Sequence, residues 1–180
     1  LAGTGLAVGY NYINRPRLHA DTMIAKANSY DADFATIISR GLSELGVTTK
    51  EMTGRTVLLK PNLVETISAA DHINTHPLVV RGAAEAFLRL GARRVLVGEG
   101  PGHMRDTVQV LEESGLADVL YEDRLPFIDL NTASGYLVSN LGQQTSLGTL
   151  TFPALFQEVD WIVSMPKLKT HHWAGVTLSM

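Results

Sequence analysis

The sequence predicts an α/β fold: a mostly parallel sheet with helices on both faces, incomplete at the C-terminus and with a small antiparallel excursion. Three observations predict it. Short apolar runs recur about every 32 to 38 residues, close to the roughly 30 or more that a strand, helix, strand unit occupies. Amphipathic stretches at helical spacing alternate with those runs. Within the runs successive residues are apolar, which marks strands buried on both faces.

From Asp31 onward, Phe34, Ile37, Ile38, Leu42 and Leu45 recur on one helical face, with Asp31 as N-cap and Gly46 as stop. Thr56-Val57-Leu58-Leu59 is a β-rich run that Lys60-Pro61-Asn62 closes, because Pro61 has no N–H to give to a ladder. Thr75-His76-Pro77 opens a second helix running through Leu90: the fixed φ of proline suits the first helical position and Gly91 suits the end. Val95-Leu96-Val97 is the next strand, stopped by Gly98-Glu99-Gly100-Pro101-Gly102, and a helix from Met104 to Ser114 closes at Gly115. Phe127 to Leu130 and Trp161 to Ser164 supply the third and fourth main strands, the latter after a helical turn at Ala154 to Gln157. Between them, Tyr136 to Val138 and Thr149 to Phe152 form the antiparallel excursion, divided by Gly142 and Gly148.

At 180 residues the chain is sized for one domain. With 15 Lys and Arg against 18 Asp and Glu, the net charge of -3 gives no field for wrapping a polyanion, so no nucleic-acid partner is expected. Cys is absent, which excludes a disulfide framework, a thiolate zinc site or an iron–sulfur cluster within this stretch. The opening Leu1-Ala2-Gly3-Thr4-Gly5-Leu6-Ala7-Val8-Gly9 is small, apolar and uncharged, like the tail of a signal-peptide h-region, and too short for a membrane span. Residues 1–30 are therefore expected to be a signal-peptide remnant and flexible lead, and residues 31–180 the N-terminal part of one α/β domain. Export through a twin-arginine-type signal, to the periplasm or another extracytoplasmic space, is the expected localisation; a Gly-rich loop of a cytoplasmic protein is the alternative. No heptad or apolar stripe indicates an oligomeric state.

In an open parallel sheet ligands gather outside the carboxyl ends of the strands. Here those exits carry Lys60-Pro61-Asn62, Glu99-Gly100-Pro101-Gly102, Asp129-Leu130-Asn131 and Pro166-Lys167-Leu168-Lys169-Thr170-His171-His172. Lys60 reads as a fixed cation aimed into the crevice or as a solvated cap. Asn62 is an amide donor for a ligand oxygen or a turn former. Glu99, between glycines that permit close approach, is a base, a metal ligand or an exposed turn residue. The glycines around it lack the spacing of a P-loop or a dinucleotide fingerprint.

His76 stands where the helix dipole disfavours an imidazolium, so a neutral ring there accepts a proton, ligates a metal or simply caps. Asp71 and His72 share its loop without forming a spacing signature. His171 and His172 are adjacent, so in an extended segment only one of them joins a given site, and no HExxH arrangement is present. Lys167 and Lys169, two residues apart, lie on one face of an extended segment, where two ammonium groups repel unless an anion sits near them or both reach water. Ser164 lies inside a strand and no Gly-x-Ser-x-Gly elbow exists, which argues against a serine hydrolase.

Taken in order, Val57-Leu58-Leu59-Lys60-Pro61-Asn62, Thr75-His76-Pro77, Val97-Gly98-Glu99-Gly100-Pro101-Gly102 and Pro166-Lys167-Leu168-Lys169-Thr170-His171, continuing to Gly175-Val176-Thr177-Leu178-Ser179, resemble the successive motifs of the domain-of-unknown-function 362 family. The resemblance runs from about Arg55 to Met180. It implies no defined reaction; some members carry a 4Fe-4S ferredoxin-like domain after this one, and some are exported with a twin-arginine signal. The candidate site is the set of polar motif residues Lys60, Asn62, His76, Glu99, Lys167, Lys169, Thr170 and His171.

The expected function is that of an enzyme binding an anionic small molecule through Lys60, Asn62, Lys167, Lys169 and Thr170. Glu99 and His76 are its expected catalytic groups and His171 the expected ligand of a divalent metal, with a link to iron–sulfur redox metabolism. The alternative is a non-catalytic exported protein that binds a carboxylate or phosphate.

Overall fold

The computed structural model describes residues 22–66, 72–102, 104–142, 145–171 and 175–177. The expected signal remnant and most of the lead, together with Asp71, His172 and the last three residues, lie outside the described residues.

Helix α1 spans Phe34–Glu44. Its N-cap is Asp33, whose carboxylate accepts from the Thr36 N–H at 2.9 Å, so the helix begins later than the expected cap at Asp31. A short helix, α2 (Thr49–Met52), was not expected: Thr48 and Glu51 form a capping box around it, and it delivers the fully buried Met52 to the core. Strand β1 (Thr56–Pro61) follows, then α3 (Pro77–Arg89), with Pro77 in its first turn and Gly91 just beyond it at φ +99°. Strand β2 is Arg94–Glu99.

The helix expected at Met104 to Ser114 is shorter than its sequence reading. It starts at Thr107, after Met104 turns to φ 65° and Asp106 caps the Gln109 N–H at 2.9 Å, giving α4 (Thr107–Glu113). Gly115, read as a stop, is also a start. At φ +71° it turns the chain into α5 (Leu116–Glu122), whose Leu116, Val119 and Leu120 are buried. Strand β3 (Phe127–Asp129) comes next, then the antiparallel pair β4 (Gly135–Ser139) and β5 (Thr149–Pro153), a 3-10 turn at Ala154–Gln157, and β6 (Trp161–Met165). A second small antiparallel pair, β7 (Lys169–His171) and β8 (Gly175–Thr177), was not read as such in the sequence.

The main sheet has the order β3-β2-β1-β6 and all its pairs are parallel, so the fold class is the α/β architecture with a parallel core that the sequence predicts. The core lies on the face of Val57, Leu59, Val95 and Val97, against Val80, Ala83 and Phe87 of α3 and Leu116 and Val119 of α5. Leu58 and Leu96, which alternate with them, are buried as well. Helix α1 packs on α3 through Gly82, where a Cβ would come 2.4 Å from that of Phe34. Among the described residues no helix is long and apolar enough to cross a membrane.

Candidate functional site

From β1 the chain steps outward to β2 and then β3, but β6 pairs on the opposite side of β1. This reversal is a switch point: connections leave β1 and β6 in different directions and open a crevice beyond their carboxyl ends. A cavity of about 180 Å³ lies there, lined by Lys60, Asn62, Glu99, Ser164, Pro166 and Thr177.

Lys60 and Glu99 come from the ends of neighbouring strands. The Lys60 ammonium donates to both carboxylate oxygens, at 2.9 and 2.7 Å, and one of these also accepts from the Gly100 N–H at 2.9 Å. The pair is asymmetric in exposure: the Lys60 side chain is 38% exposed and that of Glu99 only 9%. Lys60 thus occupies on Glu99 the place a metal cation would take. The flanking glycines make room for the protein's own atoms. A Cβ on Gly98 would lie 3.0 Å from the Leu58 Cδ1, and one on Gly100 would lie 2.4 Å from the Asn131 Oδ1.

Asn62 is held from every side. Its N–H donates to the Thr75 hydroxyl at 2.9 Å, its side-chain amide donates to the Ile73 carbonyl at 2.8 Å, and its Oδ1 accepts from Lys169 at 3.4 Å. The buried Thr75 hydroxyl in turn donates to the Met165 carbonyl at 2.6 Å, tying the exit of β1 to that of β6. Asn74, also buried, laces the same loop: its Oδ1 accepts from Val64 at 2.8 Å and its Nδ2 donates to the Glu65 carbonyl at 2.8 Å. Lys169 further donates to the Ile73 carbonyl at 3.2 Å. Burial holds its ammonium below the usual lysine range, an effect that the negative charge of Glu65 partly offsets.

His76 caps α3. Its Nδ1 accepts from the Leu78 N–H at 3.2 Å, which requires a lone pair on that nitrogen and so favours the neutral ring. Tyr30 stacks on it, with centroids 3.8 Å apart and planes within 5°, and Lys167 donates to the Tyr30 phenol oxygen at 2.5 Å.

Lys167 and Lys169 therefore have separate partners, and the repulsion that called for an anion between them is met by Tyr30 on one side and by Asn62 and Ile73 on the other. Thr170 and His171 line a second cavity of about 330 Å³ together with Glu65, His72 and Lys169. Among the described residues, no group of three or more His, Asp or Glu side chains is placed to hold a metal.

Of the expected site residues the structure brings Lys60, Asn62 and Glu99 into one cavity, with Lys169 joined to them through Asn62. His76 and Lys167 meet at Tyr30, and Thr170 and His171 face the neighbouring cavity. Sequence reasoning set Ser164 aside as a strand residue, quoted Thr75 and Thr177 only within motifs without giving them a site role, and passed over Tyr30. The Thr177 hydroxyl is buried without a hydrogen-bond partner among the described residues, an uncommon state for a polar group. Only Tyr30, an aromatic residue in an otherwise polar segment, gave a signal that could have been noticed.

The family model described as a domain of unknown function (DUF362) matches residues 57–180. No curated protein and no solved structure matches the chain.

Proposed function

The chain belongs to the DUF362 family, and with that as premise we propose that it is an enzyme acting on a small anionic molecule bound in the switch-point crevice. The observation that carries this reading is a charge imbalance. Lys60 is balanced by Glu99 at 2.7 Å, and Glu65 is balanced by Arg105 at 2.9 Å. Lys169, by contrast, has only the neutral oxygens of Asn62 and Ile73 as hydrogen-bond partners among the described residues. The Lys169 ammonium, joined to the crevice through Asn62, leaves that wall with a positive excess, and the Coulomb attraction of an anion ~4 Å away is about 4 kcal/mol at an effective dielectric of ~20, before desolvation is subtracted.

In this reading Lys60 and Lys169 supply the field, the Lys60 ammonium turns from Glu99 to meet the anion, and Glu99 exchanges protons. Calorimetric titration with small carboxylates and phosphates tests it. Binding that is lost in both Lys60→Met and Lys169→Met supports the reading, and affinity unchanged by either substitution refutes it.

A non-catalytic binding protein is the second reading, favoured by one observation: both oxygens of Glu99 are already engaged by Lys60, as in a structural pair. Turnover separates the two readings, since a binding protein consumes none of its ligand. A divalent metal at His171, a link to iron–sulfur redox metabolism and export through a twin-arginine-type signal complete the proposal. They are supported by residue chemistry and family resemblance alone. Metal analysis, native mass spectrometry and cell fractionation of the full-length protein from its own host test them together.

A further inference from the structure

We propose that anion binding in the crevice is coupled to the uptake of a proton by Glu99; the inference rests on the anion-binding reading above. Glu99 is 9% exposed at its side chain, and among the described residues its donors are the Lys60 ammonium and the Gly100 N–H. An ammonium has three N–H bonds, and Lys60 directs two contacts to this one carboxylate. An anion entering the cavity competes for the same ammonium. Once Lys60 turns toward it, Glu99 is a buried carboxylate with a single neutral donor, a state that costs several kcal/mol unless the charge is removed.

The groups around Glu99 point the same way. Lys60 faces it from β1. Asp129, its register partner on β3, is a second carboxylate that disfavours another negative charge. Lys169 on β7 reaches the site only through Asn62. With a monoanion against Lys60 and Glu99 ionised, two negative charges would share that one ammonium, because the Lys169 ammonium lies beyond Asn62; with Glu99 protonated, the charges of monoanion and Lys60 cancel. The balance is one proton, taken from solvent onto a Glu99 oxygen, with no other bond made or broken. The new O–H can then donate to the anion while the other oxygen keeps the Gly100 N–H.

Because the bound state holds more protons than the free state, affinity must rise as pH falls, by up to about tenfold per pH unit for one proton. The test is calorimetry on the full-length protein with glycolate and sulfate, neither of which titrates near neutral pH, in buffers of differing ionisation enthalpy. About one proton taken up per anion by the wild type, and about none by Glu99→Gln, is the expected result.

Binding that is lost on Lys60→Met yet shows no proton uptake, or uptake that survives Glu99→Gln, overturns the coupling and leaves the anion reading standing. If neither anion shows binding that depends on Lys60, the anion reading falls and the coupling with it. Should Glu99→Gln fail to fold, the wild-type proton count and the pH slope of affinity still decide.

Discussion

Tyr30 lies flat against His76, ring over ring, while its phenol oxygen takes a hydrogen bond from Lys167, so one side chain from the segment before α1 touches both the start of α3 and the exit of β6. The stack also fixes the imidazole edge-on to the Leu78 N–H that it caps.

Removing that anchor should separate its two contributions. Tyr30→Phe keeps the stack and loses only the phenol oxygen, which is expected to cost about 1 kcal/mol of stability. Tyr30→Ala loses both and should cost about 2–3 kcal/mol. Urea denaturation measures each, and equal losses in the two variants would show that the ring contributes nothing.

Thr75 is the joint between β1 and β6. Thr75→Val keeps the shape but removes the hydroxyl that serves Asn62 at 2.9 Å and Met165 at 2.6 Å. The expected cost is about 2–3 kcal/mol, lessened by the direct Asn62 N–H to Met165 carbonyl contact at 3.2 Å. Stability and anion affinity should fall together, because the same bonds shape the crevice wall.

Gly100 touches the loop after β3. A Cβ there would stand 2.4 Å from the Asn131 Oδ1 and 3.1 Å from its backbone nitrogen. Gly100→Ala should therefore destabilise by about 1–3 kcal/mol through overpacking. Asn131→Ala in the same chain should restore part of that loss, and a double-mutant cycle reads the coupling directly.

The Asp160 carboxylate clamps the start of β1: it accepts from the Thr56 N–H at 2.8 Å and from Arg55 at 2.9 Å, and these bonds hold its titration below the ordinary aspartate range. A folded-state value below the unfolded one adds stability that is complete above the ordinary value of about 4 and disappears as pH falls through the folded value. The stability difference between wild type and Asp160→Asn should thus be constant near neutral pH and shrink in acid. A gap that stays the same down to the acid limit of folding would contradict the assignment.

The parts of the fold that were legible in the sequence are those fixed locally. Val57, Leu58 and Leu59 announce a buried strand by consecutive apolar residues, and Pro77 and Gly91 mark both ends of α3 by backbone chemistry alone. Misreadings also have local causes. Gly115 carries the positive φ of a helix end, yet the residues after it resume at once with Leu116, Val119 and Leu120 on one face, a spacing that could have been seen.

The site was legible only as an inventory. Lys60 and Glu99 were recognisable as strand-end charges, but their pairing depends on β1 and β2 being neighbours, which no local pattern encodes. Lys167 and Lys169 looked alike from their spacing and differ because Tyr30 and Asn62 arrive from other parts of the chain.

The position of β6 against β1 bears on how the molecule is made. Thr56 and Asp160, bonded across that pair, are 104 residues apart, and the strands β2 and β3 that lie between them in the chain belong to the other flank of the sheet. During translation β1, α3 and β2 can dock soon after they leave the ribosome, whereas the cavity wall at Ser164 and Pro166 waits for β6 to be made. A nascent chain therefore holds its first three strands as a half-built scaffold whose lysine and glutamate are already paired. In the proposed reading, a product truncated before that point would hold β1, β2 and β3 without the Ser164 and Pro166 wall of the crevice.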